Sequence, residues 1–262
     1  MNLSLKNKNA IVCGSTQGIG KAIAIELALL GASVTLIARN EEKLQQTVTE
    51  LVTSEGQQHD YLTADFTDPE ALELKIGSFL AKKTAVHILI NNTGGPAGGP
   101  IIEASPEQFR QTFSNHLICN HILAQAVVPL MKQAGYGRII NIISTSVKQP
   151  IKGLGVSNTI RAAVGNWAKT LSLELAQFGI TVNNVLPGAT LTGRLESIIE
   201  TKAGKSGNSQ EEVSSEMLAE IPAGRFGKPE EVATAAAFLA TPAAAYINGI
   251  NVPVDGGRTG NL

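Results

Sequence analysis

The chain has 262 residues, of which 43% are hydrophobic, and its formal net charge is −1. Because acidic and basic residues are interspersed, we expect neither a basic surface for nucleic acid nor a polybasic run for anionic lipid. Two cysteines cannot form a disulfide framework, no apolar run approaches the roughly 18 residues of a membrane span, and no secretory leader is recognisable. The composition therefore predicts one cytoplasmic α/β domain over residues 1–262, with neither a membrane nor a nucleic-acid partner.

A glycine-rich stretch follows the first predicted strand, Asn9–Cys13, and precedes a helical pattern that begins near Lys21 and ends at Gly31. Glycines at this spacing allow a tight turn, close approach of the backbone to a phosphate, and packing of the helix on the strand. The sequence therefore predicts a dinucleotide pyrophosphate at the helix start. The residues predicted to contact it are Gly14, Ser15, Gln17, Gly18, Ile19 and Gly20.

Strand and helix patterns alternate along the rest of the chain. Predicted strands cover residues 33–38, 58–63, 85–90, 137–143, 181–186 and 249–254, and predicted helices cover 41–53, 105–133, 156–178 and 230–240, with another that begins near Pro69. This order predicts a single-domain α/β Rossmann fold, a doubly wound parallel sheet of about seven strands. The loop 91–100, with four glycines and two prolines, is expected to line the site, and the polar segment 190–221 is expected to form a helical lid.

Several spaced motifs resemble those of the short-chain dehydrogenase/reductase family, and within it the 3-oxoacyl-[acyl-carrier-protein] reductases, over almost the whole chain. The glycine turn resembles that family's TGxxxGxG, with Cys13 in place of threonine. Its NNAG, PG and DGG motifs are matched by Asn91, Asn92, Thr93 and Gly94, by Pro187 and Gly188, and by Asp255, Gly256 and Gly257. The resemblance implies a nicotinamide cofactor, and a homotetramer or homodimer built through helix 230–240 and the last strand.

The end of the second strand bears on the choice of cofactor. An acidic residue there would bond the ribose 2′-hydroxyl and repel a 2′-phosphate, but this chain has Ala38 followed by Arg39. Because a guanidinium can clamp a phosphate, NADP is favoured over NAD, with a solvated loop arginine as the alternative. The resemblance implies further cofactor contacts at Asp65, Phe66, Asn92, Gly94, Arg161, Pro187, Gly188, Thr190 and Thr192.

The catalytic positions depart from the family pattern, in which an asparagine, a serine, a tyrosine and a lysine act together. Asn115 and Ser144 match the first two, but the tyrosine position, 13 residues after Ser144, holds Ser157, and the lysine position holds Arg161. An alkyl alcohol is a far weaker acid than a phenol, and Ser157 is also shorter, so a water is expected to relay the proton. Arg161 keeps the positive charge and could hold the ribose, but it cannot exchange a proton near neutral pH.

The sequence thus predicts an NADP-preferring oxidoreductase that acts on a carbonyl/alcohol pair through a modified proton path. Its candidate substrates are a small molecule or a 3-oxoacyl thioester. The alternative is a catalytically impaired nucleotide-binding protein with a regulatory or assembly role, which the loss of both tyrosine and lysine favours. No metal site is expected. Among His116, Cys119 and His121, only His116 and Cys119 share a helix face.

Overall fold

The computed structural model describes residues 1–261, which contain one seven-stranded sheet whose neighbouring strands are all parallel. The order across the sheet is β3-β2-β1-β4-β5-β6-β7. This arrangement confirms the predicted doubly wound α/β fold of the Rossmann type. The strands are β1 (Asn9–Cys13), β2 (Ser33–Ala38), β3 (Asp60–Thr63), β4 (Ile88–Asn91), β5 (Gly137–Ile142), β6 (Ile180–Pro187) and β7 (Asn251–Val254).

Helices cover both faces of the sheet, because the side chains of each strand alternate between two cores. From β1, Ala10 and Val12 enter the core that contains residues of α1 and α9, whereas Ile11 and Cys13 enter the core formed with α3, α5 and α6. The helices are α1 (Gly18–Leu29), α2 (Glu41–Glu50), α3 (Pro69–Leu80), α4 (Pro106–Phe113), α5 (Cys119–Ala134), α6 (Gly155–Leu175), α7 (Gly193–Ser206), α8 (Gln210–Ala219) and α9 (Pro229–Ala240).

Several predicted boundaries are wrong, for local reasons. The predicted helix 105–133 is two helices, α4 and α5, joined by a π-helical turn over Ser114–Ile118. The predicted helix 41–53 ends at Glu50, because Leu51 has an extended backbone. The predicted strand 58–63 begins only at Asp60, since the backbone N–H of Gln58 bonds the Ser33 hydroxyl instead of continuing the ladder.

Smaller shifts affect the other elements. The predicted strand 85–90 lies at Ile88–Asn91, and the last strand begins at Asn251 rather than residue 249, where Gly249 has a φ of +71°. The helix predicted over 156–178 runs from Gly155 to Leu175 and continues as one 3₁₀ turn. The helix predicted to begin near Lys21 begins at Gly18.

The segment predicted as a lid consists mainly of α7 and α8. The two helices share a small apolar core of their own, made of Leu195, Ile199, Ala203, Val213 and Met217. The apolar face of α9, expected to form subunit contacts, packs largely into the chain's own core against α1. The homotetramer or homodimer therefore stays a prediction. Over residues 1–261, no helix combines the length and the apolar character that crossing a bilayer requires.

Four asparagines form a ladder across one half of the sheet. Asn91, Asn141, Asn184 and Asn251 occupy paired positions on β4, β5, β6 and β7. Each Nδ2 donates to the Oδ1 of the next asparagine, over 2.9 Å from β4 to β5, 2.9 Å from β5 to β6 and 2.8 Å from β6 to β7. Because buried amides need partners, this ladder holds β4, β5, β6 and β7 in register.

Replacing Asn141, which is 1% exposed, by alanine leaves a buried donor on Asn91 and a buried acceptor on Asn184. Since each of the two orphaned groups costs about 1–3 kcal/mol, Asn141→Ala should lower the free energy of unfolding by roughly 2–6 kcal/mol. The midpoint of urea unfolding measures this. Asn251→Ala, at the partly exposed end of the ladder, is the matched control and should cost less. Equal losses for the two variants would contradict the ladder's role.

Candidate functional site

A cleft of about 920 Å³ lies beyond the carboxyl ends of the central strands. It forms where the sheet reverses its order, because β1 pairs with β2 on one side and with β4 on the other. Its walls are the glycine turn after β1, the ends of β2 and β5, the loops after β3, β4 and β6, and the starts of α6 and α7. The predicted site residues that line it are Gly14, Gln17, Gly18, Ile19, Arg39, Asp65, Phe66, Asn92, Gly94, Asn115, Ser144, Ser157, Arg161, Pro187, Gly188, Thr190 and Thr192.

The glycine turn has no room for a side chain at Gly14 or Gly20, where neighbouring backbone atoms lie closest. Gly14 has a φ of +59°, and a Cβ on it would lie 2.7 Å from the carbonyl oxygen of Asn92. A Cβ on Gly20 would lie 2.1 Å from the Gly14 carbonyl oxygen. The turn is therefore open to the cleft on one side and closely packed on the other, which suits a cradle for a phosphate.

Two of the predicted residues lie outside the cleft lining. Ser15 is fully buried, and its hydroxyl lies 3.4 Å from the Ile37 carbonyl oxygen, to which it donates, so the side chain faces the sheet. Gly20 is also buried, beneath the turn. Both shape the turn from within, since Gly20 is the position where any side chain would strike the backbone of Gly14.

Two positively charged residues follow β2, whose last residue is Ala38 and not an acid. Arg39 and Lys43 both line the cleft. The backbone N–H of Lys43 donates to Oδ1 of Asn40, the residue that caps the start of α2, over 2.8 Å. The acidic residue of the lining, Asp65, follows β3 and accepts the Thr67 backbone N–H at 3.0 Å. The arrangement places two positively charged side chains in the lining after β2.

The catalytic positions come together at the other end of the cleft. Ser144 follows β5, and its Oγ accepts the backbone N–H of Ser146 at 3.1 Å, which leaves the hydroxyl proton free. Ser157 lies in the first turn of α6 and is 9% exposed. Asn115 belongs to the π-helical turn, and the amide orientation that suits its neighbours donates to the Phe66 carbonyl oxygen at 2.8 Å.

Arg161 is a buried cation. Its Nη1 donates to the carbonyl oxygen of Ile142 at 2.9 Å and its Nη2 to that of Thr93 at 3.3 Å. Burial, and then the charge of Arg194, lower the pKa of Arg161 to about 10. The side chain therefore still carries its charge at neutral pH and ties the end of β5 to the loop after β4.

His116 lies behind this cation and is 3% exposed. Its Nδ1 is hydrogen-bonded to the hydroxyl of Thr93, a residue of the cleft lining. Burial, followed by the charge of Arg161, lowers the pKa of His116 to about 2. The ring is thus a neutral, packed histidine, and it does not act as a proton donor near neutral pH. Residues 1–261 hold no cluster of three metal-ligating side chains.

Comparison with known proteins bears on what the cleft does. The family model described as enoyl-(acyl carrier protein) reductase matches residues 14–259. The chain is 34% identical over 255 residues to the 3-oxoacyl-[acyl-carrier-protein] reductase of Vibrio cholerae, covering 97% of this chain and 98% of the relative. It is 33% identical over 262 residues to the 7α-hydroxysteroid dehydrogenase of Escherichia coli, covering 100% and 98%. The L-sorbose reductase of Gluconobacter frateurii, solved with NADPH and L-sorbose, matches with a TM-score of 0.92 at 30% identity and covers 100% of both chains.

The chain belongs to the short-chain dehydrogenase/reductase family. The resemblance inferred from the motifs is therefore confirmed, as is the prediction of an oxidoreductase of this type. Within the family pattern, Ser157 and Arg161 stand where tyrosine and lysine are usual. Both line the cleft, so the departure lies within the site itself.

The lining residues that sequence reasoning missed include Lys43, Thr93 as a hydrogen-bonding group, and Arg194. Lys43 could have been found, because it follows Arg39 by four residues at the start of a predicted helix. Arg194 carried no such signal. Its Nη2 donates to the Pro96 carbonyl oxygen at 2.5 Å, a contact between α7 and the loop after β4 that only the tertiary structure reveals.

The neutral His116 should make stability depend on pH. Its pKa is about 2 in the folded chain and ordinarily 6.5, so the unfolded chain binds the proton more strongly. The stability present above pH 6.5 is therefore lost as the pH falls, by at most about 1.4 kcal/mol per pH unit. His116→Gln should flatten the decline of the urea midpoint between about pH 6.5 and pH 4.5. A decline as steep as in the unmodified chain would show that other groups cause it.

Proposed function

We propose that this chain is an NADP-preferring oxidoreductase that reduces a carbonyl compound, or oxidises the alcohol, through a modified proton path. One observation carries the proposal: a single cleft joins the glycine turn to Ser144, Ser157 and Arg161. The candidate substrates are a small carbonyl compound or a 3-oxoacyl thioester. The relatives are named for different substrates, a thioester, a steroid and a sugar, so they support the reaction type more than any one compound.

The cofactor preference rests on charge. Arg39 and Lys43 line the cleft after β2, whereas Ala38 offers no carboxylate to bond a ribose 2′-hydroxyl. The related L-sorbose reductase was solved with NADPH, which agrees with this preference. We propose that Gly14, Gly18 and Thr192 surround the pyrophosphate, since a Cβ on Gly18 would lie 3.2 Å from the Thr192 methyl carbon. Asp65, Asn92, Pro187 and Thr190 complete the proposed cofactor contacts.

When bound, the reduced nicotinamide supplies the hydride to the carbonyl carbon. Ser144 donates a hydrogen bond to the carbonyl oxygen, which its free hydroxyl proton allows. A water held by Asn115 supplies the proton to the same oxygen, and Ser157 relays it through a second water that fills the gap left by its short side chain. The charge of Arg161 favours the oxyanion that develops, but its pKa of about 10 excludes it from proton exchange at neutral pH.

We further propose that α7 and α8 act as a lid. Leu195 and Ile198 of α7 line the cleft, and Arg194 bonds the Pro96 carbonyl oxygen on the opposite wall. A closed lid would exclude water from the hydride-transfer step.

A second candidate function is dinucleotide binding without turnover, and one observation favours it. No tyrosine lines the cleft within residues 1–261. Tyr61 lies in β3, Tyr136 donates to the Ala240 carbonyl oxygen at 2.6 Å, and Tyr246 is fully exposed. NADPH oxidation against a panel of ketones and 3-oxoacyl thioesters, with cofactor binding measured on the same samples, separates the two functions. Tight binding without turnover on any compound would overturn the proposed activity.

Arg39→Ala should discriminate between the cofactors. A charge-assisted bond to phosphate is worth about 1.5–3 kcal/mol, so affinity for NADPH should fall by roughly 10- to 100-fold while affinity for NADH stays unchanged. Fluorescence titration measures both. Arg110→Ala removes an exposed arginine of α4 that is outside the cleft lining, and serves as the matched control. An equal loss of affinity for both cofactors would show that Arg39 does not contact the 2′-phosphate.

The double variant Ser157→Tyr with Arg161→Lys restores the family's usual residues. Because a positioned general acid contributes roughly 10²- to 10⁴-fold, kcat on any reduced substrate should rise by at least about 10-fold. The pH profile of kcat should also gain an ionisation that the unmodified chain lacks. A variant that binds NADPH normally but shows neither change would disprove the roles assigned to Ser157 and Arg161.

A further inference from the structure

Two arginines meet at the substrate end of the cleft without a carboxylate between them. Arg161 and Arg194 both line it, and within residues 1–261 neither guanidinium forms an ion pair. Their bonds go to backbone carbonyl oxygens instead: those of Ile142 and Thr93 for Arg161, and that of Pro96 for Arg194. Carbonyl oxygens satisfy donors but do not neutralise charge. This end of the cleft therefore keeps a positive charge that the protein itself does not balance.

The surroundings add to that potential. The charge of Arg194 lowers the pKa of Arg161, so the two cations are close enough to repel each other. Arg194 is the second residue of α7, where free peptide N–H groups give the helix end a partial positive charge that the exposed Glu196 of the same turn offsets in part. Asp65, the acidic residue of the lining, follows the edge strand β3, whereas Arg161 binds a carbonyl at the end of β5, with three strands between them.

We propose that this end of the cleft binds the anionic group of the substrate, a carboxylate on the carbonyl compound, with Arg194 as the residue that contacts it. The proposal rests on the proposed function and adds a substrate class to it. Nη2 of Arg194 donates to the Pro96 carbonyl oxygen. The other N–H groups of the guanidinium are left for a two-point contact with a carboxylate. The charge of Arg161 strengthens the attraction from behind.

The position of Arg194 favours a substrate anion over a cofactor phosphate. Its guanidinium packs on the loop after β4, where a Cβ on Gly95 would lie 3.3 Å from Nη2. The cradle proposed for the pyrophosphate is the glycine turn after β1, which has its own backbone donors. Leu154, Leu191 and Ile198 add apolar surface to the lining, although Leu191 is 52% exposed.

Binding to the NADP-loaded protein tests this independently of turnover. Pyruvate, acetoacetate and levulinate place the carboxylate at increasing distances from the ketone, and their methyl esters are matched neutral probes. Titration followed by ligand-observed NMR should show at least one acid bound roughly 10- to 100-fold more tightly than its ester. Arg194→Met should reduce that ratio by at least about 5-fold, leaving only the weaker preference due to the charge of Arg161, whereas Arg110→Met should preserve it.

Each outcome bears on a different claim. Equal binding of every acid and ester, or an acid preference that Arg194→Met leaves unchanged, overturns the anion site. A variant that loses affinity for NADP but keeps the acid preference also overturns it, and assigns Arg194 to a cofactor phosphate. If an acid binds through Arg194 but no probe is reduced, the anion site stands and the proposed reduction is disproved for these compounds. If acids and esters are reduced equally well, the reduction stands and the anion site does not.

Discussion

The site depends on the reversal of strand order at β1. Because β2 and β4 flank β1 on opposite sides, the chain leaves β1 and β4 toward opposite faces, and a cleft opens between them. Asn92 locks this point, since its Nδ2 donates to the carbonyl oxygens of Cys13 and Gly14 at 3.2 Å each. The same contact leaves no space for a side chain at Gly14. The glycine turn and the loop after β4 are thus held together, and each forms one wall of the cleft.

Arg161 plays the corresponding part for the polar chemistry. A flexible lysine offers one nitrogen, whereas the planar guanidinium reaches two carbonyl oxygens, those of Ile142 and Thr93, from a single position on α6. Together with burial, the charge of Arg161 lowers the pKa of His116, and it adds to the positive charge of Arg194. Replacing lysine by arginine therefore exchanges a group that can take part in proton transfer for one that organises the site by charge and by hydrogen bonds. The proposed proton path by another route and the proposed anion site both follow from this exchange.

Much of this could be predicted from the sequence, because the strands are apolar runs and the turn chemistry is local. The alternation of strands and helices predicted the fold, and Ser157 and Arg161, which were chosen from the spacing after Ser144, both line the cleft. Helix boundaries were less predictable. The π-helical turn that contains Asn115 interrupts an otherwise continuous helical pattern, and no change in apolar spacing marks it. The asparagine ladder was missed as well, since its four members are far apart along the chain and align only through strand register.

The sequence by itself determined the fold, the glycine turn, the missing acid at residue 38 and the two altered catalytic positions. Each of these depends on residue type and on short-range spacing. Only the tertiary structure decided that Arg194 shares the cleft with Arg161. Arg161 and Arg194 lie 33 residues apart on α6 and α7. Electrostatic interaction depends on distance in space and on burial, neither of which the linear sequence records.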